Sequence, residues 1–141
     1  MTQRLQALRS NRRKGSIRLL ERIARNYPDW PSVESFVRKV AGLDPCLVVL
    51  YGSLAKEDFT DFSDADVLVC FEQPRTWVDV YQHSDGIVQP LVFSVAQMKK
   101  ELEEGNAFLR EVIQTGLLLH GSRSLWKAIR ELSQSQSNRR E

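Results

Sequence analysis

The chain has 141 residues, of which 42% are apolar and 27% charged, and its formal net charge is +2. This length suits one domain with a single core, and the composition is ordinary for a globular protein. No apolar run approaches the roughly 18 residues that cross a bilayer, and the basic start lacks the apolar stretch of a secretory signal. We therefore expect a cytoplasmic protein without membrane contact.

The charge is distributed unevenly along the chain. Residues 1–26 carry eight basic side chains and one acidic one, so the remainder has a net charge of −5. A basic segment of this kind indicates either contact with nucleic acid or an acidic protein surface, or a solvated helix face. We divide the chain into a basic helical arm at 1–26, a domain at 27–132, and a polar tail at 133–141 that is expected to be disordered.

Two helices are predicted before the first strand. Apolar side chains recur at helical spacing from Ile17 to Tyr27, and the Pro-rich segment 27–31 ends that helix. Ser32 is the predicted N-cap of a second helix, which Gly42 closes.

Three strands are predicted next. Residues 47–51 and 67–71 are short, β-branched and aromatic, which is typical of buried strands. A third strand covers residues 87–93, and Pro90 within it indicates an edge position or a bulge, because proline cannot donate a ladder hydrogen bond.

The rest of the chain predicts helices from about residue 95, a short strand at 117–120, and a closing helix that reaches residue 132. The whole order is helix, helix, strand, strand, helix, strand, helix, helix, strand, helix. This order predicts an α/β or α+β fold in which helices pack a small mixed sheet.

The most informative segment is 48–71, where a buried strand runs directly into Gly52 and Ser53. Glycine permits a sharp turn and a close approach to a ligand, and exposed amides with a serine hydroxyl are good phosphate donors. Any helical turn that begins at Ser53 adds further amides and a favourable dipole. Lys56 is a candidate phosphate contact, although a solvated loop lysine explains it equally well.

Asp64 and Asp66 lie at the start of the second strand. In an extended chain residues i and i+2 face the same side, so the two carboxylates project together. Such a pair is unfavourable unless a cation lies between its members, and Mg²⁺ prefers one or two carboxylates together with substrate phosphate oxygens. A phosphate-binding turn beside a metal-binding pair indicates metal-assisted phosphoryl or nucleotidyl transfer.

These residues resemble the signature of the polymerase-β-like nucleotidyltransferase superfamily, and in particular its small members, the minimal nucleotidyltransferases. The resemblance covers roughly residues 43–121. Family sequences often read G-S-x-A-[R/K]-G before S-D-x-D, and Glu57 stands where the last glycine of the first motif is usual. The matching residues here are Gly52, Ser53, Ala55, Lys56, Ser63, Asp64 and Asp66.

The resemblance implies a polymerase-β-like fold and a set of site residues. Gly52, Ser53, Lys56 and Ser63 would bind the nucleotide. Asp64 and Asp66 would be catalytic and would hold Mg²⁺. The resemblance also implies that stand-alone small members pair with a small helical protein as a toxin–antitoxin system.

One departure from the family pattern concerns the third carboxylate, which family enzymes usually place on a neighbouring strand. Gln89 aligns with that acid, and an amide cannot act as a base. Asp85, just before the strand, is the alternative catalytic acid if the register differs.

Two functions are therefore expected. The first is Mg²⁺-dependent transfer of a nucleoside monophosphate from a triphosphate to a hydroxyl acceptor. The triphosphate is expected to be ATP, and a partner protein could supply the acceptor. The second is a catalytically weak or inactive nucleotide-binding module that acts through a protein or nucleic-acid partner. Gln89 favours the second function, whereas the intact Gly52, Ser53, Asp64 and Asp66 favour the first.

Overall fold

The computed structural model describes residues 14–140. Residues 1–13 of the predicted basic arm lie outside this range. Among the described residues, no helix is both long enough and apolar enough to cross a membrane.

Within the described range, six helices and four strands follow one another in the predicted order. The helices are α1 (Lys14–Asn26), α2 (Trp30–Ala41), α3 (Trp77–Tyr81), α4 (Val95–Glu103), α5 (Ala107–Thr115) and α6 (Arg123–Arg140). The strands are β1 (Leu47–Tyr51), β2 (Ala65–Phe71), β3 (Val88–Ser94) and β4 (Leu117–Gly121).

The four strands form one mixed sheet in the order β3-β2-β1-β4. Strand β1 pairs antiparallel with both β2 and β4, whereas β2 and β3 are parallel. Strand β3 is therefore an edge strand, which confirms the position predicted from Pro90. The parallel pair requires a crossover, and the segment that contains α3 provides it.

Each face of the sheet is covered by a separate apolar core. On one face Val48, Leu50 and Val67 belong to a cluster that includes side chains of α1, α2 and α3. On the other face Val49 and Leu68 belong to a cluster that includes side chains of α4, α5 and α6. Alternation along each strand sends neighbouring side chains to opposite cores, so the small mixed sheet packed by helices is confirmed.

Helix α1 is part of the first core, although its basic charge predicts a separate arm. Leu20 and Ile23 are fully buried, and Ile17 is nearly so. Basic residues such as Arg18 and Arg25 lie on the exposed side of the same helix. The helix is amphipathic, so its high charge does not prevent its apolar stripe from packing against the sheet layer.

The start of helix α2 differs from the prediction. Asp29 occupies the N-cap position and Pro31 lies in the first turn, where proline is tolerated because that amide has no partner within the helix. Ser32 is therefore inside the helix, and its hydroxyl donates to Asp85 instead of capping. Gly42 is the C-cap, as predicted.

A tail at 133–141 is predicted to be disordered, but residues 133–140 belong to a helix, and residue 141 lies outside the described residues. Helix α6 continues to Arg140, because no glycine or proline between residues 123 and 140 interrupts it. Ser133 is fully buried, and its hydroxyl donates to the carbonyl oxygen of Arg130 over 2.8 Å. The helix thus extends beyond Leu132, where the last predicted element ended.

Candidate active site

The turn after β1 brings Gly52 against the carboxylate of Asp66. Gly52 has a φ of +74°, a region that side-chain-bearing residues rarely adopt. A Cβ atom at position 52 would lie 2.5 Å from Oδ2 of Asp66. Both the positive φ and the lack of room beside the Asp66 carboxylate therefore require glycine at position 52.

The segment after Gly52 forms tight turns and not a regular helix. The amide of Lys56 donates to the carbonyl oxygen of Gly52 over 3.1 Å, and the amide of Asp58 donates to Ser53 over 2.8 Å. Within the described residues the amides of Ser53, Leu54 and Ala55 donate to no backbone carbonyl. Successive amides of this kind can bind an anion such as a phosphate.

The two aspartates lie at the start of β2. Asp66 is the second residue of the strand and is partly buried, whereas Asp64 precedes the strand and is exposed. Burial raises the pKa of Asp66 above its ordinary value, and the neighbouring charge of Asp64 raises it further. The pKa of Tyr51, which pairs with Asp66 across the sheet, is raised to about 12 by burial and by the Asp66 carboxylate. The site thus favours a cation.

Gln89 lies beside Asp66 on the neighbouring strand. The two residues are partners in the parallel register of β2 and β3, so their side chains project from the same face of the sheet. The side-chain amide of Gln89 donates to the carbonyl oxygen of Gly86 over 2.9 Å. An uncharged amide is therefore the group that β3 places next to the aspartate pair.

Asp85 is held by other contacts. Its carboxylate accepts a 2.5 Å hydrogen bond from the hydroxyl of Ser32 and a 3.1 Å hydrogen bond from the amide of Ile87. The Ser32 hydroxyl, followed by the backbone contact, holds the pKa of Asp85 below its ordinary value. Over residues 14–140 no three His, Cys, Asp or Glu side chains form a group that could hold a metal ion. The structure therefore does not bring Asp85 into a triad with Asp64 and Asp66.

The other two candidate nucleotide-binding residues make contacts within the protein. The ammonium of Lys56 lies 3.5 Å from a carboxylate oxygen of Glu111, in an exposed ion pair. The hydroxyl of Ser63 accepts from the amide of Thr60 over 2.9 Å. Lys56 remains accessible, whereas the Ser63 hydroxyl stabilises the turn that precedes Asp64.

Tyr27 is a residue that sequence reasoning missed at this site. It is nearly fully buried, and its hydroxyl donates to the carbonyl oxygen of Ser63. Its pKa is raised to about 12 by burial and by nearby carboxylates, among them Asp64 and Asp66. The helical spacing of α1 predicts only an apolar contact for Tyr27, because spacing does not show which partner a hydroxyl meets.

The comparisons with known proteins give the family of the chain. The family model described as "Polymerase beta, Nucleotidyltransferase" matches residues 38–124, which is more than half of the chain. The chain belongs to the polymerase β nucleotidyltransferase family. The matched residues include the Gly52 turn, the Asp64 and Asp66 pair and strand β3. The family that the sequence motif resembles is thereby confirmed.

Several solved structures, among them the following two, resemble this nucleotidyltransferase-family chain. A candidate nucleotidyltransferase from Sulfolobus solfataricus is 22% identical, with a TM-score of 0.42, and the match covers 64% of this chain and 83% of the other. A toxin–antitoxin structure with AMP-PNP is 15% identical, with a TM-score of 0.49 and 86% of both chains covered. No curated protein matches the chain.

Proposed function

We propose that this family member transfers a nucleoside monophosphate from a nucleoside triphosphate, taken to be ATP, to a hydroxyl acceptor. The close approach of Gly52 to Asp66 carries the proposal, since it puts a turn with free amides directly beside a carboxylate pair. The amides after Gly52 and the Ser53 hydroxyl would bind the triphosphate, and Lys56 would add a positive charge.

The donor set fits Mg²⁺. Asp64 and Asp66 are hard oxygen donors, and burial, followed by the charge of Asp64, raises the pKa of Asp66, so that a bound cation would favour its charged form. Mg²⁺ usually takes one or two carboxylates and completes its coordination with water and phosphate oxygens. When bound, it supplies charge neutralisation for the triphosphate and its leaving group. Asp64 and Asp66 would hold it.

The acceptor is proposed to be a hydroxyl on a partner protein, as the resemblance to small stand-alone family members implies. In the transfer, the acceptor oxygen forms a bond to the α-phosphorus while the bond from that phosphorus to the bridging oxygen breaks. Pyrophosphate leaves, and the acceptor proton passes to a base. Gln89 cannot be that base, because its amide has no useful proton affinity.

A second function is favoured by Gln89. With an amide opposite Asp66, and Asp85 engaged by Ser32, the protein would bind Mg-ATP but transfer nucleotide slowly. It would then act as a regulatory module through a protein partner, or through nucleic acid at the basic segment that begins before residue 14.

Two labelled forms of ATP test the proposal. The protein is incubated with Mg²⁺, a generic hydroxyl acceptor and ATP labelled in the α- or the γ-phosphate. Nucleotidyl transfer puts the α-label on the acceptor and the γ-label in pyrophosphate. A γ-label on the acceptor would show phosphoryl transfer and contradict the proposal. Mg-ATP binding without label on any acceptor would support the second function.

A further inference from the structure

Glu57 has an unusual backbone conformation at the end of the turn that follows Gly52. Its φ is +56°, which is uncommon for a residue with a side chain. Its carboxylate accepts two hydrogen bonds from Arg22 of helix α1, both of 2.6 Å, from Nε to Oε2 and from Nη2 to Oε1. This planar, two-bond arrangement fixes direction as well as distance.

The position of Glu57 is coupled to the proposed phosphate-binding turn through short backbone contacts. The amide of Glu57 donates to Leu54, and the next amide, that of Asp58, donates back to the carbonyl oxygen of Ser53. A side chain fixed at Glu57 therefore restricts the backbone at Ser53 and Leu54. The Arg22 guanidinium reaches this turn from a helix that lies 35 residues earlier in the chain.

A second contact holds the other end of the same loop. Tyr27, just after α1, donates to the carbonyl oxygen of Ser63, which immediately precedes Asp64. Its ring also packs edge-to-face against Phe59, with ring centroids 5.6 Å apart. The segment 57–63, which links the Gly52 turn to the aspartate pair, is thus held at both ends by the α1 region.

Helix α1 is suited to this task because it is itself anchored. Leu20 and Ile23, on either side of Arg22 in the sequence, are fully buried in the first core. The helix and Tyr27 lie outside the residues 38–124 that match the family model. Preorganised loops bind ligands more tightly, because less conformational entropy is lost on binding.

We propose that helix α1 positions the nucleotide site, with Arg22 and Tyr27 as positioning residues for the turn after Gly52 and for Asp64. The inference rests on the proposed function, since it assigns to the turn the triphosphate of that reaction. Exposed ion pairs contribute little to global stability. Arg22 is therefore expected to increase the local order of the loop and to change the overall stability of the fold little.

The test compares full-length wild type with Arg22→Gln and Glu57→Gln, and with Arg18→Gln as a control on the exposed side of the same helix. Hydrogen exchange at the amides of Lys56, Glu57 and Asp58 should be faster in the first two variants and unchanged in the control. The Kd for Mg-ATP and the KM for ATP should rise roughly three- to tenfold, a range typical of coupling between contacting residues. The melting temperature and kcat should change little.

Two double variants sharpen the test. Adding Arg22→Gln to Glu57→Gly should cause no further loss, because glycine has already released the loop from α1. Exchanging the charges in Arg22→Glu with Glu57→Arg should recover part of the affinity. Unchanged exchange and unchanged Kd in both single variants would overturn the proposal. Because exchange is measured without nucleotide, a wild type that fails to bind Mg-ATP would count against the proposed function, and the exchange result would still decide the role of α1.

Discussion

Gly52 and Asp66 are in such close contact that a single added carbon atom would collide with the carboxylate. The Cβ atom of an alanine at position 52 would lie 2.5 Å from Oδ2 of Asp66, in a backbone with φ +74°. The turn that would bind phosphate and the carboxylate that would bind the metal therefore form one unit. A change in either residue should affect both functions.

Gly52→Ala should abolish Mg-ATP binding and lower stability by about 1–3 kcal/mol, the usual cost of a side-chain-bearing residue in a sparsely populated backbone region. Gly86→Ala is the matched control, because Gly86 has a φ of +101° but no atom lies within 4 Å of the position that an added Cβ would take. It should lose stability and retain nucleotide binding. Thermal denaturation and calorimetric titration measure the two effects, and equal binding losses in both variants would show that backbone strain, and not the Asp66 contact, is responsible.

Asp66→Asn should make the protein more stable at neutral pH in the absence of Mg²⁺. Burial and the charge of Asp64 raise the pKa of Asp66 in the folded state. The contribution of Asp66 to the free energy of unfolding is therefore fully present below its ordinary pKa and is lost as the pH rises through the raised pKa. Asparagine does not ionise, so the variant does not lose this stability as the pH rises. Melting temperatures measured from acidic to neutral pH should diverge as pH rises, with the variant higher.

Asp61→Asn, in the exposed loop before Asp64, is the control for this pH dependence. It should follow the wild-type curve. A variant Asp66→Asn that melts below wild type at neutral pH would mean that the carboxylate stabilises the fold, contrary to the burial that raises its pKa.

Tyr27→Phe should cost about 1 kcal/mol in unfolding free energy, since it removes one hydrogen bond and leaves the Ser63 carbonyl without that donor. The ring contact with Phe59 remains, so the fold survives. The affinity for Mg-ATP should fall as the loop before Asp64 loosens. Tyr81→Phe, at a tyrosine that stacks on Trp77, is the comparison and should change neither quantity. Equal unfolding free energies and equal Mg-ATP affinities in the two variants would show that Tyr27 does not position the site.

Gln89→Asp should raise the rate of nucleotidyl transfer, because it puts a carboxylate beside Asp66 in the register of β2 and β3. General-base assistance is typically worth about 10²–10⁴-fold, which sets the upper range of the gain. Asp85→Asn should leave the rate nearly unchanged, since Ser32 and the amide of Ile87 already engage that carboxylate. A brisk wild-type rate that Asp85→Asn eliminates would identify Asp85 as the third acid.

The order of elements could be predicted, and the candidate site residues could be chosen, because the signals are local. Short β-branched runs, the glycine between a strand and a polar loop, and the spacing of Asp64 and Asp66 each depend on a few neighbouring residues. Pro90 predicted an edge position or a bulge, because the missing amide proton removes a ladder hydrogen bond, and β3 does lie at the edge of the sheet.

The features that could not be predicted depend on contacts between distant segments. Serine is a common N-cap residue, but the hydroxyl of Ser32 donates a hydrogen bond to Asp85, which lies 53 residues later in the chain. The charge of α1 indicated an arm, whereas the helix packs on the sheet and Arg22 binds Glu57. A polar composition predicted a disordered tail, yet α6 continues because nothing in the sequence interrupts it. Local patterns do not contain this information.

The central claim is that Gly52, Ser53, Asp64 and Asp66 form one site for a metal–triphosphate. Calorimetric titration of wild type and of the double variant Asp64→Asn with Asp66→Asn, each with ATP in the presence and absence of Mg²⁺, tests it most directly. The account predicts Mg²⁺-dependent binding by wild type, its loss in the double variant, and an intact fold in both proteins by circular dichroism. Equal affinity of the two folded proteins for Mg-ATP would contradict the site.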